Sequence, residues 1–278
     1  NELGDIAETK VLLTKAQAST TGAGIAVELA QAEMQYKNGR LEQCLATLMR
    51  VRGSARKHPF LLQLLKSTYI GLNDWEGLSG LLPELRKAKA LDKNELATLE
   101  LQCSKALLLS AVSLNEGEAA RSALNTCWQK QSKAVGRNST VVEVYVDCLI
   151  GLNDQVQAEK VLRNQLNRDW SPPLIDRYGK VSGQDVSKQL LHAENWLKER
   201  NSDSGLMLCL GRLSMRNQLW GKAKEYFESS LNIENNPEAC AELGRLLARL
   251  GEHERSNHYF QQGLLMSTHE LPQLPMPD

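Results

Sequence analysis

The amino-acid sequence predicts an all-α protein built from tandem helical hairpins. Leu accounts for 47 of the 278 residues, whereas Phe, Trp and Tyr together make up 5%, and this composition favours packed helices over sheets. A second observation is internal repetition, because Leu210-Gly211-Arg212-Leu213 recurs unchanged 33 residues later. Tandem units of this length are typical of helical solenoids. We therefore expect stacked hairpins that form a right-handed superhelix.

The spacing inside the repeat predicts a helix, a tight turn and a second helix. After Gly211 comes a polar turn, then a small residue, Ala223, and then Phe227 four positions on. A glycine without a Cβ lets the second helix approach closely, and the Phe fills the space beyond the contact. The second copy places the corresponding residues at Gly244, Ser256 and Phe260. This pattern resembles the signature of the tetratricopeptide repeat (TPR).

Turn signals divide the rest of the chain into further hairpins. Residues 70–74 and 150–154 share the sequence Ile-Gly-Leu-Asn-Asp, and Gly39 precedes Asn73 by 34 residues. Because Asn and Gly tolerate the left-handed conformation, each segment is predicted to end a first helix. The predicted order is a helix at 6–18, hairpins at 24–53, 58–89, 93–132 and 139–168, an irregular connection at 169–183, a helix at 184–199, hairpins at 204–233 and 237–266, and an extended tail at 267–278. Residues 1–168 and 184–266 thus form an N-terminal and a C-terminal set of repeats.

Prolines inside this map predict interruptions. Pro83 falls within a second helix, where it removes a backbone donor, so we expect a break or a kink there. Pro172-Pro173 excludes the middle of a helix and is the reason for predicting the irregular connection at 169–183. Pro272, Pro275 and Pro277 indicate that the tail is extended.

Charge and cysteine usage exclude several classes of protein. The chain carries 33 Lys and Arg against 33 Asp and Glu, so no long-range field favours a nucleic-acid partner. Its six cysteines are widely spaced, which predicts reduced thiols packed as small hydrophobes. No run of eighteen apolar residues occurs, and nothing in the sequence predicts a membrane span. Because the chain begins at Asn1 without a signal-like segment, we expect it to be a piece of a longer protein.

The sequence contains no recognisable catalytic or metal-ligating constellation. None of the histidines pairs with a second ligand at helical spacing, and no Gly-x-Ser-x-Gly elbow is present. The five histidines are His58, His192, His253, His258 and His269. The sequence therefore predicts no catalytic residue and no metal site, and it favours a protein that is not an enzyme.

Arginines on the two clearest first helices form the candidate binding site. Arg212 and Arg216, and likewise Arg245 and Arg249, are spaced four residues apart, so all four are predicted to line a concave face. At the matching positions of the hairpin at 139–168 the face carries Glu143 and Asp147. Because Arg guanidinium groups suit carboxylates, the hypothesis is that this face binds an anionic partner segment or porphyrin propionates. The alternative, which the sequence favours, is local ion pairing with neighbours such as Glu242.

Beyond the generic repeat, several stretches resemble the HemY family of proteobacterial haem biosynthesis, in the same order along the chain. They are His58-Pro59, Tyr69-Ile70, Trp75, Leu81-Leu82-Pro83, the segment 128–133 with the sequence Trp-Gln-Lys-Gln-Ser-Lys, and the segment 263–266. The resemblance implies an inner-membrane protein in which two transmembrane helices precede a cytoplasmic repeat domain linked to a late step of protohaem IX formation. It does not imply an assigned reaction.

Two functions remain open at this point. The favoured one is a non-enzymatic scaffold for protein partners, with late enzymes of haem biosynthesis as the expected partners and the membrane reached only through the preceding segment. The alternative is a porphyrin- or haem-handling enzyme or a haem carrier in the same pathway. No cofactor is expected, because the sequence offers no haem ligand motif, although haem or porphyrin binding stays open.

Overall fold

The computed structural model describes residues 21–56 and 58–268, and within these ranges all regular structure is helical. The α-helices are α1 Thr21–Lys37, α2 Leu41–Ala55, α3 Pro59–Gly71, α4 Trp75–Ala88, α5 Lys93–Ser113, α6 Gly117–Gln129, α7 Ser139–Gly151, α8 Gln155–Leu166, α9 Pro172–Lys180, α10 Val186–Trp196, α11 Ser204–Arg216, α12 Trp220–Ile233, α13 Pro237–Arg249 and α14 His253–Ser267. None of these helices is both long and apolar enough to span a bilayer. The predicted helix at 6–18, and the predicted tail from residue 269 onward, lie outside the described residues.

The helices fall into two compact units, Asn1–Leu114 with α1 to α5 and Asn115–Asp278 with α6 to α14. In the first unit, α1 packs on α2 and α3 packs on α4 as two helical hairpins around a leucine-rich core. In the second unit, α7 packs on α8, α11 packs on α12, and α13 packs on α14. The chain is therefore all-α with TPR-like hairpins, as predicted. The hairpin predicted at 93–132 corresponds to α5 and α6, which belong to different units.

The predicted irregular connection at 169–183 is wrong, because residues Pro172–Lys180 form α9. The two prolines occupy the first turn of this helix, where a backbone N–H has no partner within the helix in any case. The following helix, predicted alone at 184–199, is α10 and completes the hairpin. Its N-cap is Asp185, whose carboxylate accepts a hydrogen bond from the Lys188 backbone N–H at 3.0 Å.

The repeat consequently runs through the second unit without interruption. The four first helices α7, α9, α11 and α13 begin at Ser139, Pro172, Ser204 and Pro237, at spacings of 33, 32 and 33 residues. The helix α9 packs against α8 before it and α11 after it, as a first helix in such an array should. The helices α9 and α10 thus occupy the place of a hairpin in the array, and side-chain contacts such as Tyr178 with Trp196 and Gln189 with the Tyr178 carbonyl join them.

Close helix approach at the duplicated glycines is confirmed. A Cβ placed on Gly211 would lie 2.3 Å from Cε1 of Phe227, and one on Gly244 would lie 2.9 Å from Cε1 of Phe260. Phe227 is fully buried, whereas Phe260 on the last described helix is 41% exposed. The two repeats therefore share one packing contact but differ in how tightly it is enclosed.

The predicted turns adopt the left-handed conformation. Asn73 and Asn153 have φ angles of 55° and 59°, and Gly39 and Gly251 have angles of 72° and 81°. Gln218 takes the same conformation at 60° after the first helix α11, although its side chain is not one that favours it. The left-handed backbone conformation of the turn therefore recurs even where the residue type changes.

The helix α4 is continuous through Pro83, so of the predicted break or kink the break is wrong. It runs from Trp75 to Ala88, with Leu81 and Leu85 buried on either side of the proline. Pro83 itself lies on the exposed side of the helix, where water can satisfy the carbonyl that loses its partner. Burial of the leucines holds the helix together despite the missing hydrogen bond.

None of the six cysteines forms a disulfide, and all except Cys127 are buried. Cys209 on α11 faces Gly179 on α9, where an added Cβ would lie only 3.0 Å from the Cys209 Cα. Burial raises the pKa of the Cys209 thiol to about 12.

We expect Cys209 to resist alkylation in the folded protein. At pH 8 a thiol with a pKa of about 12 holds almost no thiolate, the species that reacts. Treatment with iodoacetamide followed by peptide mass spectrometry should show Cys209 unmodified until denaturant is added. Modification of Cys209 in native buffer at the rate of a small-molecule thiol would contradict the buried placement.

Candidate functional site: a row of charged side chains on four first helices

Charged side chains follow the four first helices of the second unit and link them to one another. Helix α7 contributes Glu143 and Asp147, α9 contributes Asp176, Arg177 and Lys180, α11 contributes Arg212 and Arg216, and α13 contributes Glu238, Glu242, Arg245 and Arg249. These residues are called the first-helix row below. Spacings of three and four residues place the members from one helix on a common face.

At its acidic end the row joins α7 to α9. The Arg177 guanidinium donates from Nε to Asp147 Oδ1 at 2.7 Å and from Nη2 to Asp147 Oδ2 at 2.8 Å. Glu143 lies 3.9 Å from the same guanidinium. A two-pronged arginine–carboxylate pair fixes geometry more strictly than a single contact. Glu143 and Asp147, predicted as an acidic counterpart of the arginines, are thus already paired.

Arg212 is the centre of the row. Its guanidinium donates to Asp176 Oδ1 at 2.9 Å and to Glu238 Oε2 at 2.5 Å, and its Nε lies 3.5 Å from Glu242 Oε1. Asp176 belongs to the preceding first helix, and both glutamates belong to the following one. Arg212 is only 9% exposed. One buried cation therefore connects three consecutive first helices.

Lys180 supports this centre by contacting two of the same carboxylates. Its Nζ lies 2.8 Å from Asp176 and 3.2 Å from Glu238. Although burial raises the pKa of Asp176, the hydrogen bonds from Lys180 and Arg212 outweigh it and hold that pKa below its ordinary value of 3.8. The hydrogen bond from Arg212 likewise holds the pKa of Glu238 below 4.5, against the opposing effect of partial burial.

The pairing should make stability depend on pH in the acid range. Asp176 and Glu238 have lower pKa values in the folded protein than in the unfolded chain. Their ionised forms therefore stabilise the fold above pH 4.5, and this stabilisation is lost as the pH falls through their folded pKa values. We expect the melting temperature of the parent to fall more steeply below pH 4.5 than that of an Asp176→Asn/Glu238→Gln variant. Parallel curves would contradict the assignment.

The predicted stripe of four equivalent arginines divides into two pairs. Arg212 is buried among carboxylates, and Arg216 donates to the Val181 and Lys180 carbonyl oxygens at 2.8 and 2.6 Å. Arg245 is 72% exposed with one pair to Glu242 at 3.2 Å, and Arg249 is exposed with no ion partner among the described residues. Neighbouring helices supply partners only to the first pair. A binding role for the row stays a prediction.

The described histidines lie exposed along the chain at positions 58, 192, 253 and 258. Within residues 21–56 and 58–268, no group of three or more His, Cys, Asp or Glu side chains is placed to hold a metal ion.

A second polar cluster, which the sequence did not reveal, lies between α8, α9 and α10. Glu159 is 8% exposed and accepts hydrogen bonds from Arg163 at 2.9 Å and Tyr178 at 3.1 Å. Gln189 donates to the backbone oxygens of Tyr178 and Val181, both at 3.2 Å. Each of these groups is satisfied within the hairpins, so we assign the cluster a structural role.

Comparisons with known proteins give no family for this chain. No protein-family model matches the chain, and no curated protein matches it. The TPR-like protein MamA from Desulfovibrio magneticus RS-1 is 14% identical with a TM-score of 0.42, covering 60% of this chain and 95% of that chain. Pseudomonas aeruginosa PilF is 17% identical with a TM-score of 0.40, covering 78% and 95%. At such scores the fold assignment depends on this chain's own hairpins.

Proposed function

We propose that this chain is the repeat domain of a HemY-type protein and acts as a non-enzymatic scaffold for protein partners. The observation that carries the scaffold role is the first-helix row, which orders charged side chains over four successive first helices by ion pairs such as Arg212 with Asp176. An ordered charged face favours recognition of a partner, because its side chains lose little further freedom on binding.

The HemY assignment is supported by the sequence stretches from His58-Pro59 to Met266 that resemble that family. On this proposal the domain lies on the cytoplasmic side of the inner membrane, attached through preceding helices. Its partners are then enzymes of a late step of protohaem IX biosynthesis. Direct haem or porphyrin handling is the competing proposal, and it requires a ligand side chain.

Affinity capture tests the scaffold role on the full-length membrane protein. Two variants change exposed residues of first helices, Asp147→Lys on α7 and Ala241→Trp on α13, and matched controls make the same kinds of change on the second helix α8, Lys160→Glu and Val156→Trp. We expect loss of captured protein only for the first pair. Ala241→Trp breaks no ion pair, so it separates lost recognition from any lost stability caused by breaking the Asp147–Arg177 pair. Equal capture by all four would contradict the proposal.

Haem titration of the same protein tests the competing proposal of direct haem or porphyrin handling. A stoichiometric absorption band that disappears when one His or Cys is replaced would favour haem handling over the scaffold role. Enrichment of late haem-pathway enzymes in the captured material would support the HemY assignment, and a partner set without them would contradict it while leaving the scaffold role standing.

A further inference from the structure

The last described hairpin presents a face that its predecessor keeps covered. Phe227 and Leu231 on α12 pack in one cluster with Ala239 and Leu243 of α13, the next first helix. The residues 33 positions later are Phe260 and Leu264 on α14, which are 41% and 62% exposed. Among the described residues no further first helix lies on α14. This apolar surface is therefore covered on α12, where α13 packs against it, and exposed on α14.

The neighbouring charge follows the same pattern. Arg212 receives two carboxylates, Glu238 and Glu242, from the following first helix. Arg245 stands 33 residues later, is 72% exposed and, among the described residues, has Glu242 of its own helix as its one ion partner. Arg249, one turn further on, is exposed and has no ion partner among the described residues. A cationic side chain thus stands beside the open apolar face, and we name Arg245, Arg249, Phe260 and Leu264 together the terminal edge.

We infer that the terminal edge binds an acidic amphipathic helix of a partner protein, in the manner in which the preceding hairpin binds α13. The helix α13 defines the chemistry. Its Glu238 and Glu242 are four residues apart beside Ala239 and Leu243, which have the same spacing. Residues spaced in this way form adjacent stripes along one helix. The partner helix therefore carries two carboxylates spaced i, i+4 next to a stripe of small and leucine side chains.

The chain does not repeat this sequence for itself. Leu271 and Pro275 stand 33 residues after Glu238 and Glu242, where carboxylates are required. The prolines at 272, 275 and 277 also remove backbone donors that a helix needs. Charge complementarity and continuity with the packing of α12 on α13 favour a helix from another protein.

A peptide that copies α13 provides the probe. It spans residues 236–250, with Cys240 replaced by Ala and a staple joining positions 241 and 245, which are exposed in α13, because short helices are marginal in water. The control peptide carries Glu238→Gln and Glu242→Gln. Fluorescence anisotropy measures the affinity of each for the full chain. We expect the control to bind about ten-fold more weakly.

Protein variants locate the site. Leu264→Lys should abolish peptide binding, whereas Leu191→Lys, which changes a similarly exposed leucine on α10, should leave it unchanged. Arg245→Glu should weaken binding by about ten-fold and should be rescued by a peptide with Glu238→Lys and Glu242→Lys. Leu264 lies on the second helix α14 and outside the first-helix row, so Leu264→Lys tests this inference without testing the scaffold proposal.

Four results would overturn the inference. The first is no anisotropy change up to about 1 mM protein. The second is peptide binding that the charge changes do not affect. The third is concentration-dependent self-association that Leu264→Lys removes, which would make a second copy the occupant. The fourth is binding that begins only after deletion of residues 269–278, which would make that segment the occupant.

Discussion

Replacing Gly211 by Leu is expected to lower the free energy of unfolding by about 3 kcal/mol. A Cβ at this position would lie 2.3, 2.4 and 2.9 Å from three ring carbons of Phe227. Phe227 is fully buried between its own hairpin and α13, so the ring has no space into which to move. The helices α11 and α12 must separate to admit the new side chain.

The duplicated position provides a graded comparison. Gly244→Leu should cost only about 1 kcal/mol, because the Cβ contacts with Phe260 are 2.9 to 3.1 Å and that ring is partly exposed and can rotate outward. Gly221→Ala, at an exposed helical site with no heavy atom within 4 Å of the added Cβ, is the control and should not destabilise. Urea unfolding followed by circular dichroism measures all three. Equal losses at Gly211 and Gly244 would contradict the packing described.

Replacing Arg212 by Ala is expected to lower the free energy of unfolding by about 2–3 kcal/mol. The change removes the cation that three carboxylates share and leaves Asp176, Glu238 and Glu242 close together without it. The carboxylates are between a quarter and a half exposed, which keeps the loss below that of a wholly buried pair.

Arg245→Ala is the matched control for Arg212→Ala. It removes the equivalent arginine of the next repeat, which is 72% exposed, and should change stability by less than about 0.5 kcal/mol. The difference between the two variants should shrink below pH 4, as the carboxylates become protonated. Equal effects of both substitutions at neutral pH would show that Arg212 is an ordinary surface residue.

The sequence predicts the hairpins wherever a glycine and an aromatic residue mark the close contact of their helices. It fails at α9, because Pro172-Pro173 indicates an interruption of the helix, and the sequence alone does not show that the two prolines lie in the first turn. At the position 32 residues before Phe227 this hairpin has Asn195, and the bulky side chain is Trp196, which packs against Trp170 and Tyr178. The hairpin is retained, but its signature is displaced by one residue.

The site is less predictable than the fold for a physical reason. Spacing along one helix shows which side chains share a face, as it does for Arg212 and Arg216. It does not show which residue of a neighbouring helix lies opposite, and the partners of Arg212 are 36 and 26 residues away in sequence. Asp176, Lys180 and Glu238 were therefore missed. For Asp176 and Lys180 the available signal was their place 33 residues after Glu143 and Asp147, whereas Glu238 stands 33 residues after Gly205 and gave no such signal.

Site-specific photo-crosslinking on the full-length protein in cells tests the proposed role of the first helices most directly. A photoreactive phenylalanine analogue is placed at Asp147 or Ala241, on first helices, and at Lys160, on the second helix α8. All three positions are exposed, so each can react with whatever protein lies against it. We expect crosslinked partner from Asp147 and Ala241 and none from Lys160. Crosslinks from Lys160 alone, or equally from all three positions, would contradict it.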